Sequence, residues 1–188
     1  TDSTNLYYAK GANISNDSIF AKRVNAFGKE IVIDARSPEA MIKEAVNIAK
    51  KSDVIVVAVG EAADMSGESS SLAYIGLQAS QKKLLKALNA LEKPMVMILY
   101  NGRPMTLDWE SKEIDAILDV WFGGTEGAHA VADVLFGDVN PGGRLTTSFP
   151  VAVGQIPVYH SMLNTGRPDC GNRAKFRSNY LDIPIEPF

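Results

Sequence analysis

Two glutamates just past the end of one apolar strand are the residues whose type and spacing best suit chemistry. The stretch Ser52–Leu77 opens as Asp53-Val-Ile-Val-Val-Ala-Val59 and breaks at Gly60. It then runs through Glu61, Asp64, Gly67, Glu68 and a row of serines. A rigid apolar strand that ends in a long carboxylate-bearing loop is a common way of holding reactive groups. Glu68 lies between Gly67 and Ser69, where backbone freedom and hydroxyl neighbours let a side chain project into a site. Glu61 follows Gly60 directly, where its carboxylate can bond to neighbouring backbone N–H groups. A carboxyl group kept protonated near neutrality by burial suits proton donation to a leaving oxygen, as in glycoside hydrolysis. Both glutamates are candidates for that acid at this level.

Other chemistries find less support. No Gly-x-Gly-x-x-Gly follows a strand and no Gly-Lys-Ser/Thr phosphate loop exists, so nucleotide binding lacks its usual glycines. Gly123-Gly-Thr-Glu-Gly127 could aim helix N–H groups at an anion, but a tight strand-to-helix turn explains it as well. The nucleophile elbow Gly-x-Ser-x-Gly is absent. Glu126 and His129 have the i, i+3 spacing of a carboxylate metal site, yet one pair supplies two ligands at most, and it reads as a helix-surface pair. His160 reads as a contact residue. Cys170 is the only cysteine, which excludes an intrachain disulfide and a thiolate metal site. No cofactor and no metal are expected.

The elements that must position the loop follow from periodicity. Residues 1–29 are weakly patterned, with a short strand at Leu6–Ala9 and a short helix from Asp17 to Val24 capped by Asn16 or Asp17. Glu30–Asp34 reads as another short strand. Ser37-Pro38 has the cap-and-proline signature of a helix start, and Met41, Ile42, Ala45, Val46, Ile48 and Ala49 continue at helical spacing. The strand 53–59 carries an unbroken apolar run, which predicts burial on both faces. Ala79–Leu91 is a second helix with Leu84, Leu85, Leu88 and Leu91 as its stripe. Met95–Tyr100 is a second buried strand, broken by Asn101-Gly-Arg-Pro104. A helical turn before Lys112 precedes a third strand, Ala116–Trp121. Thr125 then caps a helix reaching Leu135. Leu145-Thr-Thr-Ser-Phe149 alternates as an antiparallel edge strand would, and the chain from Pro150 onward is irregular.

This order predicts an α/β fold with a doubly wound, mostly parallel, flavodoxin-like sheet. The loops after Val59, Tyr100 and Phe122 then emerge on one edge, outside the carboxyl ends of the strands, where sites in open α/β sheets lie. At 188 residues the chain is long enough for one well-packed domain. A net charge of −3 gives no reason to expect nucleic acid or an anionic membrane as partner, and no apolar run is long enough to span a bilayer. Arg167, Arg173, Lys175 and Arg177 are interleaved with acids and read as a solvated segment. The start without methionine and the Pro-rich end, Ile183–Phe188, suggest a piece of a longer protein.

Five segments carry a family resemblance: Asp53–Glu61 (DVIVVAVGE), Ser66–Ser70 (SGESS), Lys93–Pro104 (KPMVMILYNGRP), Trp121–Pro150 (WFGGTEGAHAVADVLFGDVNPGGRLTTSFP) and Gly154–Pro168 (GQIPVYHSMLNTGRP). In this order they resemble the second, α/β sandwich domain of glycoside hydrolase family 3, in its bacterial, periplasmic β-glucosidase branch. The resemblance implies a three-layer α/β/α sandwich over 1–150 and an extension over 151–188 that packs on it or leads to a fibronectin-like domain. It implies a retaining, exo-acting β-glucosidase whose nucleophile is an aspartate on a preceding (β/α)8 barrel, absent here. Glu68 then matches the general acid/base, with Glu61 as the alternative in the same loop. The implied partners are a β-glucoside or oligosaccharide and the barrel and fibronectin-like domains, and the implied location is periplasmic or secreted. The isolated chain is expected to be inactive. Many members follow the glutamate with a charged pair such as Asp-Arg, where this chain has Ser69-Ser-Ser-Leu-Ala-Tyr74, which removes any ion pair from that position. A carbohydrate-binding or interface module and a flavodoxin-like nucleotide-binding module are the rival readings.

Overall fold

The computed structural model describes residues 4–26, 28, 30–163 and 165–187. Three parallel strands, β1 (Ile55–Gly60), β2 (Met95–Tyr100) and β3 (Ala116–Asp119), form one sheet in the order β1-β2-β3. The register aligns Val57 with Met97 and Ile117, and Val59 with Leu99 and Asp119. The α-helices of the described residues are α1 (Ser18–Val24), α2 (Pro38–Ala49), α3 (Ala79–Asn89), α4 (Glu110–Glu113) and α5 (Gly127–Phe136).

The helix starts follow their local chemistry. Asp17 accepts hydrogen bonds from the Ile19 and Phe20 N–H groups, and Ser37 accepts one from Ala40 N–H with Pro38 in the first turn. Helix α5 differs from expectation: Glu126, not Thr125, precedes it, and no side chain caps it. Here the turn Gly124–Gly127 itself leads into the helix, through a Gly127 N–H bond to the Gly124 carbonyl.

Helices α2 and α3 cover one face of the sheet. Ile55, Val57 and Val59 from β1 and Met95, Met97 and Leu99 from β2 meet Ala45, Ala49, Leu84, Leu85 and Leu88 there. Met97, Leu99 and Leu85 are fully buried, each worth about 1.5–3 kcal/mol relative to exposure. Helix α5 lies over the other face, leaving a cavity of about 440 Å³ against Tyr100, Leu118 and Val120. This is an α/β sandwich with the sheet as its middle layer.

Burial of β1 on both faces is corrected. Val54 and Val56 are half exposed and Ala58 is also open, because β1 is an edge strand and no described element covers that side. The edge is finished by a side chain instead. The Gln81 amide, on α3, accepts from Gly60 N–H at 2.6 Å and donates to Gly60 C=O at 2.7 Å, pairing the last strand residue as a neighbouring peptide would. The expected edge strand at Leu145–Phe149 does not form either. Phe149 is buried against Trp121, but Leu145 is exposed and the segment has no strand beside it. Leu6–Ala9 and Glu30–Asp34 likewise run without ladder pairing. The described residues between 151 and 187 are irregular apart from a 3-10 turn at Val153–Gln155 and an isolated bridge between Pro168 and Ser178, and the buried Gln155 side chain donates to Pro184 C=O. Residues 1–3 and Phe188, within the segments expected to be weakly patterned, lie outside the described residues.

Candidate active-site loop

All three strands deliver their carboxyl ends to one edge, which therefore carries Glu61, Asn101-Gly102-Arg103 and Asp119–Trp121 together. Glu61 continues β1 by donating its N–H to Tyr100 C=O at 2.8 Å. Its carboxyl group turns inward, with side-chain exposure of 1%. Arg103 Nε lies 3.2 Å from Oε1 and 3.3 Å from Oε2, where it makes its hydrogen bond, and Gly102 N–H approaches Oε2 at 3.5 Å. Oε1 has the charge of Arg103 beside it but no hydrogen bond. Burial pushes the Glu61 carboxyl above its ordinary value, and the Arg103 charge and the Gly102 N–H pull against it without prevailing.

Beyond Glu61 the chain makes a 3-10 turn, Ala63–Met65, and then a tight turn from Gly67 to Ser70. Gly67 and Ser69 have positive φ values of 126° and 62°, and Ser70 N–H closes the turn on Gly67 C=O at 3.2 Å. Glu68 sits at the tip of that turn, exposed, with no side-chain hydrogen bond among the described residues. The body of the loop is held on three sides. Met65 and Ala62 pack with Ala21 and Ile31 in a small satellite core over α1. Asp64 N–H donates to the Glu30 carboxylate at 2.9 Å, and Ser70 Oγ donates to Asp64 C=O at 2.8 Å. The Arg103 guanidinium also donates to Met65 C=O and, at 3.4 Å, to Ser70 C=O.

The Asn101-Gly-Arg segment is shaped to receive this loop. Asn101 is fully buried, and its amide donates to Arg103 C=O at 2.9 Å, closing the turn after β2. Gly102 lies against Ser66 so closely that an added Cβ would come within 2.8 Å of Ser66 Cβ and of the Phe122 ring. At the neighbouring strand end, both carboxylate oxygens of Asp119 are buried without a hydrogen bond of good geometry. Burial pushes this carboxyl up, against the pull of the Trp121 N–H and the Asn101 amide.

The structure thus puts the two sequence candidates in one loop but in opposite environments, Glu61 sealed and Glu68 open. Glu126 and His129 form an exposed surface pair 2.6 Å apart at the start of α5. His160 and Cys170 are exposed in the irregular extension. Arg103 was not among the sequence candidates; its partners stand 33 to 42 positions away, and its only local signal was the strand-breaking Asn-Gly-Arg-Pro run.

Comparison with known proteins decides the family. Residues 4–181 match the model of the glycosyl hydrolase family 3 C-terminal domain. The chain belongs to this family. It is 51% identical to a periplasmic beta-glucosidase of Salmonella typhimurium, over all of the chain and 25% of that protein. It is 40% identical to a beta-xylosidase of Formosa agariphila, over 86% of the chain and 22% of that protein. The solved beta-glucosidase from Listeria innocua in complex with isofagomine superposes with a TM-score of 0.77 at 40% identity, over 85% of this chain and 22% of that one. The family 3 chain described here therefore spans about a quarter of the length of these relatives. None of its described helices is long and apolar enough to cross a membrane.

Proposed function

We propose that this chain is the acid/base-bearing part of a retaining, exo-acting β-glucosidase that acts on terminal, non-reducing β-glucosyl residues in the periplasm. Residues 1–150 are its α/β sandwich domain, and 151–188 an extension that packs on it or leads to a fibronectin-like domain. A (β/α)8 barrel preceding the sandwich supplies the aspartate nucleophile, and a β-glucoside or oligosaccharide binds between the two. The periplasmic location and the β-glucosidase activity follow the name of the Salmonella typhimurium relative, which covers the whole chain.

The observation that carries the assignment of Glu68 is its placement. An acid/base must touch the glycosidic oxygen, and in retaining enzymes its carboxyl stands roughly 5 Å from the nucleophile. Glu61 is enclosed by Arg103 and Gly102 and has no open side for a sugar. Glu68 stands at the tip of an anchored turn, open to a second surface. In this reading the barrel aspartate attacks the anomeric carbon while Glu68 gives its proton to the departing oxygen. Glu68 then removes a proton from the water that hydrolyses the glycosyl-enzyme intermediate.

The experiment is Glu68→Gln in the full-length protein, assayed with aryl glucosides of good and poor leaving group. Loss of the acid is expected to depress poor leaving groups by about 10²–10⁴-fold and good ones much less. Azide, which needs no general base, is expected to restore turnover of the good ones. Unchanged leaving-group dependence would remove Glu68 from the role and favour a domain that only binds or covers the sugar.

A further inference from the structure

An ion pair from a neighbouring strand end reaches the loop that carries Glu68, and Arg103 supplies it. Its Nε lies against the sealed Glu61 carboxylate at the root of the loop. Its Nη2 donates both to Met65 C=O just before the turn and to Ser70 C=O at the end of it. One planar guanidinium therefore joins the entry, the middle and the exit of the segment whose tip is Glu68. Both carbonyls are main-chain groups, so their position fixes the backbone of the turn directly.

Arg103 is itself fixed. It follows the rigid strand β2, the side chain of Asn101 closes the intervening turn, and Gly102 bears on Ser66 of the Glu68 loop. The guanidinium fork offers several donors in one plane, a geometry that the point charge of a lysine does not reproduce. Glu61 holds that plane in orientation from below.

We propose that Arg103, oriented by Glu61, is a positioning residue for the glycosidase reaction: it sets the Gly67–Ser70 turn so that the carboxyl of Glu68 meets the leaving oxygen. This rests on the reading of Glu68 as the acid/base. Arg103 touches neither the sugar nor the reacting atoms; it acts through Glu68 alone. Displacing a proton donor by about 1 Å is enough to cost on the order of 10²-fold in rate.

The test is a double-mutant cycle in the full-length protein, with Arg103→Met, Glu68→Gln and the two combined, across aryl glucosides of graded leaving-group pKa. Arg103→Met is expected to lower kcat/KM about 10–100-fold for poor leaving groups and only a few-fold for good ones. Added to Glu68→Gln, it is expected to cost nothing more. Glu61→Gln keeps the size of the side chain while removing its charge, and is expected to steepen the leaving-group dependence in the same direction by a smaller factor. An equal loss for every leaving group, or an undiminished loss in the Glu68→Gln background, overturns the positioning role while leaving Glu68 in place. A Glu68→Gln enzyme with unchanged leaving-group dependence overturns both. If Arg103→Met does not fold, Glu61→Gln decides: parental leaving-group dependence in that variant overturns the proposal.

Discussion

Gly60 and Tyr100, the last residues of β1 and β2, are in register and in closer contact than any other residue type would permit. A Cβ added to Gly60 would lie 2.7 Å from the Tyr100 carbonyl carbon and closer still to its oxygen. Gly60 also has a φ of +140°, a conformation that L side chains rarely adopt. The backbone turns here so that Glu61 N–H can continue the ladder to Tyr100 while its side chain drops beneath the loop.

Gly60→Ala is therefore expected to destabilise the chain by roughly 2–4 kcal/mol, through backbone strain and forced separation of two paired strand ends. Gly124→Ala is the control, because nothing lies within 4 Å of a Cβ at that position. Its effect is expected to stay within about 0.5 kcal/mol. Urea unfolding of the two variants checks this; similar midpoints would show that the strand ends can separate.

Stability is also expected to depend on pH through Glu61 and Asp119. Burial raises both carboxyls above their ordinary values in the folded chain. Between the unfolded and the folded values the native state binds more protons than the unfolded one, so stability falls as pH rises through that window. Asp119→Asn is expected to stabilise the chain above the window and to lose that advantage near about pH 4, where the unfolded carboxyl itself takes up protons. Asp34 acts with the opposite sign. Hydrogen bonds from Arg36 hold it well below the usual carboxylate range, so its contribution is present above the unfolded value and is lost as pH falls through the folded one. Unfolding midpoints across pH for the parent, Asp119→Asn and Asp34→Asn separate the two effects; a pH-independent difference between Asp119→Asn and the parent would refute the first.

How much of this was legible depends on whether the cause was local. The strands β1 to β3 and the helices α2 and α3 announce themselves by apolar runs and helical spacing, because their burial is what those patterns encode. Leu145–Phe149 shows the alternation of an edge strand, but alternation marks faces and does not supply the neighbour that a ladder needs. The openness of Val54 and Val56 was hidden for a related reason: an apolar run cannot tell which of two faces has a layer over it. In the loop, the position of Glu61 against the strand end and of Glu68 between Gly67 and Ser69 already favoured Glu68 as the projecting acid. What the sequence does not show is the partner that seals Glu61: Arg103 reaches back 42 positions to it and has no periodic relation to it.

The seat of the loop on Gly102 yields a prediction with its own rescue. An added Cβ at Gly102 would come within 2.8 Å of Ser66 Cβ and the Phe122 ring edge, and closer still to Ser66 Oγ. Gly102→Ala is thus expected to lift the loop and cost roughly 1–3 kcal/mol. Two of the three obstructing atoms belong to Ser66, and the third is the end of a ring that is itself 42% exposed and able to turn aside. Ser66→Gly removes both Ser66 atoms and should cost about 1 kcal/mol or less alone, through added backbone freedom. Combined with Gly102→Ala, it should recover about 1 kcal/mol or more relative to the sum of the single changes. Urea unfolding gives the energies, and limited proteolysis between Ala62 and Tyr74 reports the loop: cleavage should rise in Gly102→Ala and fall back in the double variant. Strict additivity would mean that the loop does not rest on Gly102.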